Sequence, residues 1–172
     1  MAHPRIPLLN FGLAASLLIS AGTGLHAAPS NGPTVADAVV LTAWLQVEDL
    51  LTMADVVVEV EVNGTMNRGS VAENGRIDVI LPAGVEAVLR ISKPDHLTKE
   101  VVVDTRHVND GGFDGKQRHV SCAVILQAKE HMAGLNYPGP VGTIGFDEGG
   151  GCMTVEHDRR LVTERRQQVV VF

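Results

Sequence analysis

Apolar and polar residues alternate with period two along most of the chain. In VVLTAWLQV, Val39, Leu41, Ala43, Leu45 and Val47 share one face. In DVVVEVEVNG, Val56, Val58, Val60 and Val62 point one way, and Val57, Glu59 and Glu61 the other. Successive side chains of a strand face opposite sides, so the pattern predicts strands with one dry and one wet face. Asn63-Gly64 ends the second of these strands with residues that accept positive φ. The device repeats after Glu73-Asn74-Gly75 with Ile77, Val79 and Leu81, which alternate with Asp78 and Ile80. It repeats again after Pro82-Ala83-Gly84 with Ala87, Leu89 and Ile91.

The stretch RISKPDHLTKEVVVDT, 90–105, interrupts its alternation at Lys93-Pro94-Asp95 and resumes at once. Pro94 has no N–H to give a ladder, so one strand ends there and Asp95 and His96 round the corner. KEVVVDT returns as the next strand. HVSCAVILQ, VGTIGFD and CMTVEH follow, the last two joined across Glu148-Gly149-Gly150-Gly151. EDLLTMAD and AKEHM suffice for a helical turn or two. Short strands with turn signals between them predict an all-β fold, a single antiparallel β-sandwich over residues 37–157.

The first segment, MAHPRIPLLNFGLAASLLISAGTGLHAAPS, reads as a signal peptide covering 1–27. Arg5 precedes an apolar region from Leu8 to Ala21, and the small residues Ala27 and Ala28 follow. Asn10, Ser16 and Ser20 interrupt that region, which is short for a span of ~20 residues. No transmembrane span is therefore expected after cleavage, and no cysteine follows to carry a lipid. Residues 28–36 form a Pro/Gly/Asn-rich linker and 158–172 a C-terminal tail. The expected location is outside the cytoplasm, whether periplasmic, cell-surface or extracellular.

Losing Arg5 and no acid moves the formal charge from −6 to −7, and aromatic residues make up only 3% of the chain. An acidic protein poor in rings is unsuited to nucleic acid, which needs a basic face and stacking platforms. The same scarcity disfavours a sugar site. Trp44 is expected half-buried in the core.

The run from Val58 to Thr105 resembles a carboxypeptidase-regulatory-like domain, a transthyretin-like (prealbumin-type) β-sandwich also described as Ig-like. The resemblance rests on the valine-rich strand Val56–Val62, the hairpin Glu73-Asn74-Gly75-Arg76-Ile77 and the corner Leu81-Pro82-Ala83-Gly84. Ser92-Lys93-Pro94-Asp95-His96 and Val101-Val102-Val103-Asp104-Thr105 complete it. Asp95 stands where glycine is usual. A Pro-Val-Gly-x-Ile strand, here Pro140–Ile144, resembles a group of small exported bacterial proteins with this domain. The resemblance implies a non-catalytic adhesion, assembly or stabilising module with a protein or cell-envelope partner. Hydrolases of purine catabolism share the fold but end in Tyr-Arg-Gly-Ser; this chain ends in Gln-Val-Val-Val-Phe.

Candidate chemistry is sparse. His96, His107, His119, His131 and His157 show no zinc spacing and are expected as exposed strand-end residues, although His107 and His119 bracket one loop. That loop offers Asp104, Asn109, Asp110 and Asp114 as oxygen ligands, a set open to calcium but not spaced as an EF-hand. Gly111, Gly112 and Gly115 equally mark a bulged hairpin. No nucleophile elbow or phosphate loop occurs, so no catalytic, cofactor-binding or metal residue is assigned. A Cys122–Cys152 bond would close a loop of about 30 residues and contribute roughly 3–4 kcal/mol. Strand parity instead points Cys122 inward with Val120 and Val124, and Cys152 outward with Thr154. The VVVF end suits a strand added to this sandwich or to a partner's edge, as the chain lacks the aromatic girdles of a membrane barrel.

Overall fold

The computed structural model describes residues 37–49, 52–113 and 115–163. The expected signal peptide, the linker, Asp114 and the tail from 164 onward lie outside the described residues. Eleven strands follow one another: β1 (Ala38–Val47), β2 (Val57–Val62), β3 (Thr65–Gly69), β4 (Arg76–Pro82), β5 (Glu86–Ser92), β6 (Lys99–Asp104), β7 (Arg118–Leu126), β8 (Leu135–Asn136), β9 (Gly142–Phe146), β10 (Met153–His157) and β11 (Val162–Thr163). No helix among the described residues is long and apolar enough to cross a membrane.

Two sheets enclose one core. The smaller runs β4-β1-β7 and the larger β10-β9-β6-β5-β2-β3, while β8 and β11 form a separate pair. Val39, Leu41, Leu45, Ile77 and Val124 on the small sheet meet Val58, Leu89, Val103 and Ile144 on the large one. The alternation of each strand thus became the inside and outside of a β-sandwich. Burying such side chains removes them from water at about 25 cal/mol per Å² of apolar surface, and this is the main force holding the sheets together.

The pairing is not antiparallel throughout. β1 runs parallel to β7, and β6 parallel to β9. Chain order explains it: β7 crosses to the other sheet between β6 and β9, so β9 returns in the direction of β6. The break at Pro94 gives the antiparallel pair β5–β6, with Arg90 opposite Glu100. Asp95 adopts φ 60°, the left-handed conformation glycine takes readily. β3 is a strand the alternation does not predict, because TMNRG is exposed almost throughout. Asn63 and Gly64, at φ 51° and 75°, form the tight turn that folds it back onto β2.

EDLLTMAD shows no helix over its described residues, and Met53 packs on the core instead. AKEHM forms one 3-10 turn over Lys129–Met132. At the end of β6, Thr105 is buried and donates its hydroxyl to the Pro82 carbonyl at 2.8 Å, tying the Leu-Pro-Ala-Gly corner to the sheet.

Candidate functional site

Trp44 is not in the core. The parity that buries Ala43 and Leu45 turns Trp44 to the outer face of the small sheet, where it is 45% exposed. Ile80 and Ile125 stand on the same face, 68% and 47% exposed. Trp44 lies opposite Ala123 on β7, and Ile125 follows two residues on, a diagonal neighbour within reach of a large ring. Ile80, opposite Val40, marks the far end of the face.

A polar ladder crosses between them. Thr42 donates its hydroxyl to Asp78 at 2.8 Å, and Arg76 donates to the same carboxylate at 3.0 Å. These bonds, the Thr42 hydroxyl first and then Arg76, hold the Asp78 carboxyl below its ordinary value. Arg76, anchored by Asp78, lies over the Trp44 ring with its guanidinium carbon 6.0 Å from the centroid. The ring is therefore held by its neighbours on a central strand. A fixed aromatic side chain flanked by exposed aliphatics and a satisfied polar row suits contact with another protein. Sequence reasoning missed this face, although Ile80 and Ile125 both fall at polar positions of the alternation.

The Asp/Gly loop is engaged internally. Asp104 pairs with Arg106, which holds its carboxyl low, and Asp110 accepts from the Gly149 N–H at 2.7 Å and faces His107 Nδ1 at 3.1 Å. The loop's glycines serve close packing. A Cβ at Gly111 would strike the Gly150 carbonyl, and one at Gly151 the Asp110 carbonyl. His119 is exposed, and His107 bonds Asp110.

His96 corrects the expectation of exposed histidines. It is buried, Nδ1 lies 2.8 Å from the Pro94 carbonyl, and Nε2 has no partner. A bridge to Ala128 draws it under the chain that leaves β7, a long-range effect that local turn signals do not carry. Among the described residues, Asp49, Glu130 and His131 bring three ligand-type atoms within 4.8 Å of one another. All three are exposed, and His131 lies 3.5 Å from Asp49 and 3.7 Å from Glu48, so surface ion pairing accounts for the group.

Cys122 and Cys152 are both free thiols, the first partly buried on the core side and the second exposed. The strand parity of Cys122 and Cys152 describes the pair. Burial pushes the Cys122 thiol up, which keeps it protonated and unreactive.

No family model matches this chain, and no curated protein matches it. Among solved structures it is similar to the N-terminal interface mutant of a type II cohesin–X-dockerin complex from Acetivibrio cellulolyticus. That match has 15% identity over 52% of this chain and 58% of the other, with a TM-score of 0.37. The C-terminal interface mutant of the same complex gives 18% identity, the same coverages and a TM-score of 0.34. A structure described as S.CueP gives 14% identity, 53% and 64% coverage, and 0.34. The chain spans less than two thirds of each, and likeness of this degree carries no argument about function. The sandwich rests on its own sheets.

Proposed function

We propose that this protein is a non-catalytic β-sandwich module, exported from the cytoplasm, that engages a protein partner of the cell envelope through the outer face of β4-β1-β7. One observation carries the reading: Trp44, Ile80 and Ile125 stand exposed together on a single sheet face. Large apolar side chains gathered on one face mark interaction surfaces more often than isolated ones do. The motif order from Val56 to Thr105, similar to carboxypeptidase-regulatory-like domains, supports a binding role, as does the lack of any nucleophile–base motif. Calcium finds less support, since Asp104 and Asp110 already serve Arg106 and Gly149.

The test is capture from the envelope fraction with immobilised protein, followed by mass spectrometry. Replacing Trp44, Ile80 and Ile125 by Ser should abolish the specific capture while leaving the melting curve near wild type, because exposed substitutions rarely exceed about 0.5 kcal/mol each. Met66→Ser on β3 should leave capture intact. Undiminished capture by the triple variant would remove this face from the function.

A further inference from the structure

The small sheet is too narrow to cover the large one. A cleft of about 290 Å³ opens between β7 and the β9–β10 side of the large sheet. Val101, Val124 and Ile144 give it an apolar floor continuous with the core. Lys99 stands at its inner end.

Lys99 is an anomaly of position. It shares the inward parity of Val101 and Val103 and is only 9% exposed. Among the described residues its ammonium has no carboxylate or carbonyl partner. It lies 5.2 Å from the centroid of the Tyr137 ring, whose hydroxyl is turned away to donate to Gln127 at 3.0 Å. A ring face softens the loss of water around a cation but supplies no hydrogen-bond acceptor. Burial, and then repulsion from Arg159, push the Lys99 pKa down, with Glu48 acting weakly the other way. Arg159 lines the same cleft, so two cations and the Glu156 carboxylate border its apolar floor. Glu156, His157 and the Cys122 thiol complete its titratable lining.

From this geometry we propose that the cleft binds a small amphipathic organic anion, a carboxylate on an apolar body, with Lys99 as its buried counter-ion and Arg159 at the mouth. The carboxylate supplies the acceptor that Lys99 lacks and offsets the repulsion between the two cations. The apolar body covers Val101, Val124 and Ile144. A cationic ligand would add positive charge beside Lys99 and Arg159, which outnumber the single Glu156 carboxylate, and a neutral one would leave Lys99 unpaired.

Calorimetric titration of the full chain with octanoate tests the proposal, with octanol and octylamine as neutral and cationic controls. One saturable octanoate site per chain is expected, with octanol at least about tenfold weaker, the scale of one charge-assisted contact. Lys99→Met should weaken octanoate by about tenfold or more and reduce its advantage over octanol to the several-fold share of Arg159, whereas Lys99→Arg should retain the full advantage. Arg159→Ala, at an exposed position the fold does not need, should weaken octanoate several-fold. Trp44→Ser should change nothing, which separates this cleft from the partner face. Absence of octanoate binding, equal binding of octanoate and octanol, or undiminished binding by Arg159→Ala and a folded Lys99→Met would overturn the proposal.

Discussion

Thr105 and Val85 are joined through both the main chain and the Thr105 hydroxyl. The Val85 N–H donates to the Thr105 hydroxyl oxygen at 3.0 Å, and the Thr105 N–H donates to the Val85 carbonyl at 2.8 Å. With the bond to Pro82, this buried hydroxyl satisfies main-chain groups on both sides of the β4–β5 corner. Thr105→Val keeps the shape and removes that capacity, leaving a buried donor and acceptor unmade. We expect a loss of about 1–3 kcal/mol in urea denaturation, and a smaller loss for Thr105→Ser. Equal stability of wild type and Thr105→Val would show that the corner stands without the hydroxyl.

Val58 and Glu59 are adjacent but face opposite sides of β2. Val58 is 1% exposed within the core, whereas Glu59 faces outward toward Arg90 at 3.9 Å. Val58→Asp places an unpaired charge in the core and should cost several kcal/mol, enough to unfold a domain of ordinary stability. Glu59→Lys should stay within about 1 kcal/mol, since only a long surface ion pair is reversed. Thermal melts of both variants check the contrast, and similar losses would contradict the register of β2.

Two glycines with the same backbone conformation should respond differently to alanine. Gly75 has φ 81° and Gly84 φ 80°. A Cβ at Gly84 meets open space, so Gly84→Ala should cost only the left-handed backbone, about 1–2 kcal/mol. At Gly75 the Cβ would strike the Leu45 carbonyl, and Leu45 donates its N–H to the Gly75 carbonyl at 2.8 Å. Gly75→Ala should therefore be clearly the more destabilising in chemical denaturation.

Asp110 makes the docking of its loop on Gly149 sensitive to acid. The Gly149 N–H, first of all, holds its carboxyl below the ordinary value; desolvation opposes it, and His107 adds to the lowering. A carboxyl whose folded pKa lies below its unfolded value of about 3.9 contributes stability above that value and loses it as pH falls through the folded value. Protection of the Gly149 amide, taken relative to its intrinsic exchange rate, should fall in that acid range. Asp110→Asn should show faster exchange already at neutral pH and a weaker acid dependence. Identical profiles for the two proteins would exclude the carboxylate as the clasp.

Alternation made the inner face of nearly every long strand legible, from Val39–Val47 to Val120–Leu126. It applied equally to Trp44, which it turned outward. The expectation that a lone tryptophan belongs in the core set aside the stronger signal. Lys99 is the converse case: it shares the parity of Val101 and Val103 and is buried with them despite its charge. Periodicity reports which face a residue occupies and never which strand lies beside it, so the parallel partners of β1 and β6 were not legible. Neither was the burial of His96, which depends on Ala128 far along the chain.

The parallel neighbours Val39 and Arg118 place a demand on the order of folding. β1 is the first described strand and the middle one of its sheet, yet one flank stays open until β7 has been made, after five intervening strands. Within its own sheet β1 can pair only with β4 before then. Such dependence on contacts distant along the chain slows folding, because a large loop must close before its contacts form. A chain assembled this way stays loose until most of its length is available, a delay that suits a polypeptide proposed to cross a membrane before it folds.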